Sequence, residues 1–74
     1  GIIESYAEAL DISSDKNTVK KFLVLLLENK TRVNSLCPCN SGKKVKCCHR
    51  KKLDKLSTKI PAKIFFRDLF NLRG

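Results

Sequence analysis

Three thiols and an imidazole fall within thirteen positions of this 74-residue chain, as Cys37-Pro38-Cys39 and Cys48-His49. That is a ligand set for one tetrahedral zinc ion. Thiolates are soft donors, so the same set argues against calcium or magnesium. A single residue between Cys37 and Cys39 suits a knuckle, and Pro38 stiffens it. Gly42 in Asn40-Ser41-Gly42 supplies the reversal, because glycine tolerates positive φ. Cys47 adjoins the second pair and is an alternative fourth ligand. Disulfides are the competing use of four cysteines, which allow three pairings. Adjacent Cys47-Cys48 and near-adjacent Cys37-Cys39 give poor geometry for local bridges. Zinc in a reducing, cytoplasmic setting is therefore the expectation.

The elements that must hold this loop are legible from periodicity. Ile2, Ile3, Tyr6, Ala9 and Leu10 recur at helical spacing and predict a short helix over 2–10. Residues 11–17 are polar and turn-prone, with Ser14 and Asn17 as candidate N-caps of a second helix over about 16–29. Val19, Phe22, Leu23 and Leu26 make its stripe, and Val24, Leu25 and Leu27 widen it. Such a helix needs cover on two sides. The first helix can give one; a second chain, a missing domain or the C-terminal segment must give the other. Asn29 or Asn34 can end it in a left-handed conformation. After the metal loop, a third helix from Arg50 carries Leu53, Leu56 and Ile60 on one face. Pro61 stops it and can open a fourth short helix. Phe65, Phe66 and Phe70 of that tail are expected in the core. The predicted fold is small, zinc-stabilised and mainly α: a helical segment over 1–34 that can dock on a larger host, a knuckle over 35–50, and a basic helix with an apolar tail over 51–74.

Length and charge narrow the function classes. A chain this short buries a limited core, for which a metal is an expected staple. It contains no methionine, even at position 1, which reads as a processed product or a piece of a longer protein. The formal net charge of +9 lies wholly in residues 41–74, where eleven Lys and Arg face only Asp54 and Asp68. Three thiolates with one Zn²⁺ would lower it by about one unit. The excess favours an anionic partner: an acidic protein surface, RNA or anionic lipid. The longest apolar run, residues 22–27, is far short of the ~20 residues of a membrane span.

The stretch from Cys37 to His49 closely resembles the SEC-C motif, the small zinc-binding tail of the bacterial preprotein translocase ATPase. The family pattern is Cys-x-Cys, eight residues containing Ser-Gly-x-Lys, then Cys-His or Cys-Cys. Ser41, Gly42 and Lys43-Lys44 match its turn. The eight-residue count implies Cys37, Cys39, Cys48 and His49 as the ligands and leaves Cys47 a free thiol. Asn40 stands where the family usually has glycine, and twenty-five residues follow a motif that commonly ends its chain. The resemblance covers about thirteen residues and implies an accessory or adaptor module of a bacterial protein, binding a partner protein or the ribosome. Contact residues would be Lys43, Lys44, Lys46, Arg50, Lys51 and Lys52.

Nucleic-acid binding is the alternative, with a basic helix and knuckle on RNA or DNA phosphates. Against it, no aromatic residue lies between Lys43 and Lys63 to serve as a stacking platform. Catalysis is not expected, since a closed ligand set leaves zinc no open position and one histidine supplies no acid–base pair. Ser41-Gly42-Lys43 lacks the upstream glycine and the Lys-Ser/Thr ending of a phosphate-binding loop. The apolar helices leave room for a homodimer.

Overall fold

The computed structural model describes residues 1–31 and 33–73, the last for its backbone only. Among them are four helices, α1 (Ile2–Leu10), α2 (Lys16–Leu27), α3 (Arg50–Lys59) and α4 (Ala62–Arg73), with a 3₁₀ turn over Val45–Cys47. There is no strand among the described residues, only an isolated antiparallel bridge between Leu36 and Lys44.

Local chemistry sets the helix ends. Asp15, rather than Ser14 or Asn17, caps α2. Its Oδ2 accepts from the Thr18 backbone N–H at 2.9 Å and from the Thr18 hydroxyl at 2.8 Å. Asp15 wins because Thr18, at the third helical position, offers it two donors at once. The helix ends two residues earlier than periodicity suggests. Asn29 turns left-handed at φ 55°, and Lys30 N–H returns to the Leu25 carbonyl at 2.8 Å. α1 closes the same way: Asp11 sits at φ 56°, and Ile12 N–H reaches the Ala7 carbonyl at 3.0 Å.

The core is one cluster drawn from all three sequence segments. Phe22, Phe65, Leu10, Leu23, Leu53, Val19 and Val45 are its fully buried members. α4 packs along α2 and supplies the second cover that the wide apolar stripe requires; α1 packs on α2 and on α3. Each large side chain fully buried here contributes about 1.5–3 kcal/mol. The expectation for α4 needs a correction. Phe65 is buried, but Phe66 and Phe70 are each 65% exposed. The helix turns about 100° per residue, so only the face of Phe65, Asp68 and Leu72 meets α1 and α2.

Two polar ties hold the helices in register. The Tyr6 hydroxyl on α1 donates to Asp68 Oδ2 on α4 at 2.7 Å, both residues being buried. The Thr31 hydroxyl, just past α2, donates to Asp54 Oδ1 on α3 at 2.6 Å. Burial, with the Asp68 hydrogen bond and charge adding to it, pushes the Tyr6 hydroxyl well above its usual range. Its folded pKa is raised, so this tie is present below about pH 10 and is lost as pH rises through the higher folded value. We expect Tyr6→Phe to leave Asp68 short of its buried donor and to destabilise the fold by about 1–3 kcal/mol. Urea unfolding at neutral pH checks this, and an unchanged midpoint would show that the pair contributes nothing.

Candidate metal centre

Backbone hydrogen bonds shape the loop between α2 and α3. Cys37 N–H donates to the Lys43 carbonyl at 2.8 Å, and Val45 N–H donates to the Ser35 carbonyl at 2.9 Å. These bonds lay the two arms side by side across the Leu36–Lys44 bridge. The tip reverses through Asn40 at φ 62° and Gly42 at φ 82°. Asn40 thus occupies the left-handed region, which asparagine tolerates better than most residues. Cys47 N–H returns to the Lys44 carbonyl at 2.9 Å, and this 3₁₀ turn delivers Cys48 and His49 to the start of α3.

The consequence is a convergence of four donors. One ligand atom each from Cys37, Cys39, Cys48 and His49 lies within 4.8 Å of all the others, a group that can hold a metal ion. His49 Nδ1 is 3.1 Å from both Cys37 Sγ and Cys48 Sγ, and Cys39 Sγ is 3.5 Å from Cys48 Sγ. For comparison, metal–sulfur bonds of ~2.3 Å in a tetrahedron put neighbouring sulfurs about 3.7 Å apart. Donor chemistry and spacing therefore both fit a single four-coordinate ion. Cys47 is exposed and lies outside the group.

His49 has a second attachment. Its Nε2 donates to the Leu10 carbonyl at 2.8 Å. A carbonyl only accepts, so Nε2 carries a hydrogen, and in the neutral ring Nδ1 is left to offer its lone pair to a metal. The Leu10 carbonyl belongs to the last turn of α1, where helix geometry leaves it without an internal partner. Phe22 of α2 packs on the imidazole with ring centroids 4.9 Å apart. The ring is thus buried and fixed on both sides, by α1 and by α2.

The thiols are not equivalent. Burial pushes the Cys37 thiol up, and its neighbours Cys39 and Cys48 add to this; a backbone hydrogen bond only partly offsets it, leaving a value of about 12. Burial also acts to raise Cys39, but hydrogen bonds with Ser41, Cys37 and Cys48 outweigh it and bring Cys39 down to about 7. The two thiols act on each other, so ionisation of one holds back the other. Metal binding needs the thiolates, so metal uptake here would release protons.

The basic residues line more than one recess. All six named from the sequence are exposed. Lys46, Arg50 and Lys51 line a common recess with Cys47, and Arg50 pairs with Asp54 at 3.9 Å. Lys52 lines a different recess, beside Cys39, Ser41 and Cys48, and meets Asp11 at 3.7 Å. Lys43 and Lys44 lie on the second arm of the loop, where Lys44 bridges Leu36. Three features of the site escaped sequence reasoning. The Leu10 carbonyl is a backbone group with no sequence signature. Phe22 read simply as core. Leu36, 72% exposed opposite Lys44, sat in no periodic pattern.

We expect His49→Cys to retain metal affinity through a four-sulfur set but to lose the tie to α1. Cobalt substitution would read the altered ligand field. Hydrogen exchange would show faster amides over residues 7–12, whereas unchanged protection there would show that Nε2 does not anchor α1. No family model, no curated protein and no solved structure matches this chain, so the reading of the centre rests on these residues alone.

Proposed function

We propose that this chain is a zinc-stabilised, non-catalytic attachment module of a bacterial cytoplasmic protein, presenting a basic loop to an acidic partner surface. The observation that carries it is the convergence of Cys37, Cys39, Cys48 and His49. Three thiols and one imidazole are a donor set suited to zinc, and four protein donors leave a tetrahedral ion no position for water or substrate. The likeness of residues 37–49 to the SEC-C motif supports the same reading.

In this reading zinc supplies rigidity, and the chain supplies recognition. The ion clamps the loop tip to the start of α3. The exposed Leu36 then stands as an apolar anchor beside Lys43 and Lys44, with Lys46, Arg50 and Lys51 around the next turn. An apolar anchor with a charged rim is the usual layout of a protein contact, the charges giving orientation and on-rate. An acidic protein surface, including one on the ribosome, fits it better than nucleic acid, because no aromatic side chain stands among these cations.

Chelation should melt the loop. Structural zinc contributes an apparent ~10–16 kcal/mol in zinc-finger peptides. Amides of residues 35–50 should therefore lose exchange protection on metal removal, and Cys37→Ser and Cys48→Ser should reproduce that loss. Cys47→Ser should not. Protection retained in the metal-free protein would contradict the zinc reading. Steeply salt-dependent, sequence-independent RNA binding would favour the nucleic-acid alternative.

A further inference from the structure

The aromatic residues displaced from the core leave α4 with an unusual outer face. Phe66 and Phe70 stand one turn apart, each 65% exposed, and Leu69 lies three residues from Phe66 on the same side. On α2, Val24 is 39% exposed. Between the two helices runs a groove of about 380 Å³ whose apolar wall is Val24 and Leu69. Two exposed phenylalanines one turn apart, next to an apolar groove on the same helix, mark a candidate contact surface.

The exposed charges that line this face are mainly basic. Lys20 and Lys21 line the groove from α2. Lys63 precedes Phe66 by three residues and Phe70 by seven, so it flanks both rings. Arg67 pairs with the buried Asp68 at 3.6 Å. The nearest acids are engaged: Glu28, one turn beyond Val24, meets Lys30 at 3.6 Å, and Asp15 caps α2. A second copy of a chain with net charge +9 would bring like charges together on this face.

We propose that the α2–α4 groove and the Phe66–Phe70 edge form a second docking surface, for an acidic amphipathic helix of another protein. A helix with acidic flanks would meet Lys20, Lys21 and Lys63, and its apolar ridge would enter the groove between Val24 and Leu69. A flat bilayer leaves such a recess unfilled, and bases stack on ring faces without needing an aliphatic trough. The surface is distinct from the metal loop, since α4 packs along α2 whereas the 3₁₀ turn packs on α3. It depends on the helical packing and stands apart from the identity of the metal.

The test is a titration of the zinc-loaded protein, followed by amide NMR, with a synthetic Glu-rich peptide carrying Leu and Phe at helical spacing. A scrambled peptide of the same composition, a single-stranded oligonucleotide and phosphatidylserine vesicles serve as competing probes. The amphipathic peptide should shift Val24 and Leu69. F66S/F70S should weaken it about tenfold or more. K20E/K21E should act likewise. Both serine substitutions fall on exposed positions, so an unchanged thermal melt will confirm that the variant is folded. Lys43→Glu with Lys44→Glu, which tests the loop surface, should leave this binding intact. No binding of the amphipathic peptide, equal binding of the scrambled one, or affinity indifferent to F66S/F70S would overturn the proposal. So would phenylalanine-dependent capture of the oligonucleotide or the vesicles in its place.

Discussion

Three cysteine sulfurs and an imidazole nitrogen are held within 4.8 Å of one another, and three ionised sulfurs so close repel unless a cation stands among them. Protonated ones gain little from contact. Burial pushes the Cys37 thiol up while hydrogen bonds bring Cys39 down, so ionisation of one of this pair holds back the other. A divalent ion reverses that balance, because each donor then faces a charge of opposite sign. This is the constraint on which the rest of the structure depends. The loop's backbone bonds bring the donors near, and a bound divalent ion would make ionisation of all three sulfurs favourable.

The centre is built into the core. Cys37 and Val45 are buried members of the same cluster as Phe22 and Leu53, and His49 is buried between the end of α1 and the side of α2. His49 is the residue through which the loop and helices meet. One ring nitrogen faces the sulfurs, and the other takes up the carbonyl that α1 would otherwise leave unpaired. A cysteine in its place could bind metal but has no second arm. A chain of this size has a small core, so a single ion tying the loop to two helices would contribute a large share of its order.

Much of this was legible in the sequence because it depends on local chemistry. The Cys-x-Cys and Cys-His spacing, the tolerant backbone residues Asn40 and Gly42, and the stop at Pro61 are all short-range signals. Asn29 as the left-handed end of α2 is another. What could not be read depends on which way a helix faces once it packs. Phe65, Phe66 and Phe70 are alike in composition, yet only the rotation of α4 against α2 decides that the first is buried and the other two are not. The cap of α2 failed for a smaller reason: Asp15 is no better a cap by type than Ser14 or Asn17, but it alone has Thr18 three residues ahead. The Leu10–His49 bond spans 39 residues and involves a backbone atom, so no pattern of side chains announces it.

These features leave two separate exposed surfaces on one small frame. The loop, which a bound ion would fix, presents Leu36 opposite Lys44. The α2–α4 side, fixed by the core, presents two phenylalanines among lysines. The most direct measurement of the central claim is X-ray absorption at the zinc edge on protein purified under reducing conditions. The account predicts one zinc per chain with three sulfurs at ~2.3 Å and one imidazole nitrogen at ~2.0–2.1 Å. Four sulfurs with no nitrogen would remove His49 from the centre and bring Cys47 in. A chain without metal, its cysteines oxidised to disulfides, would contradict the account altogether.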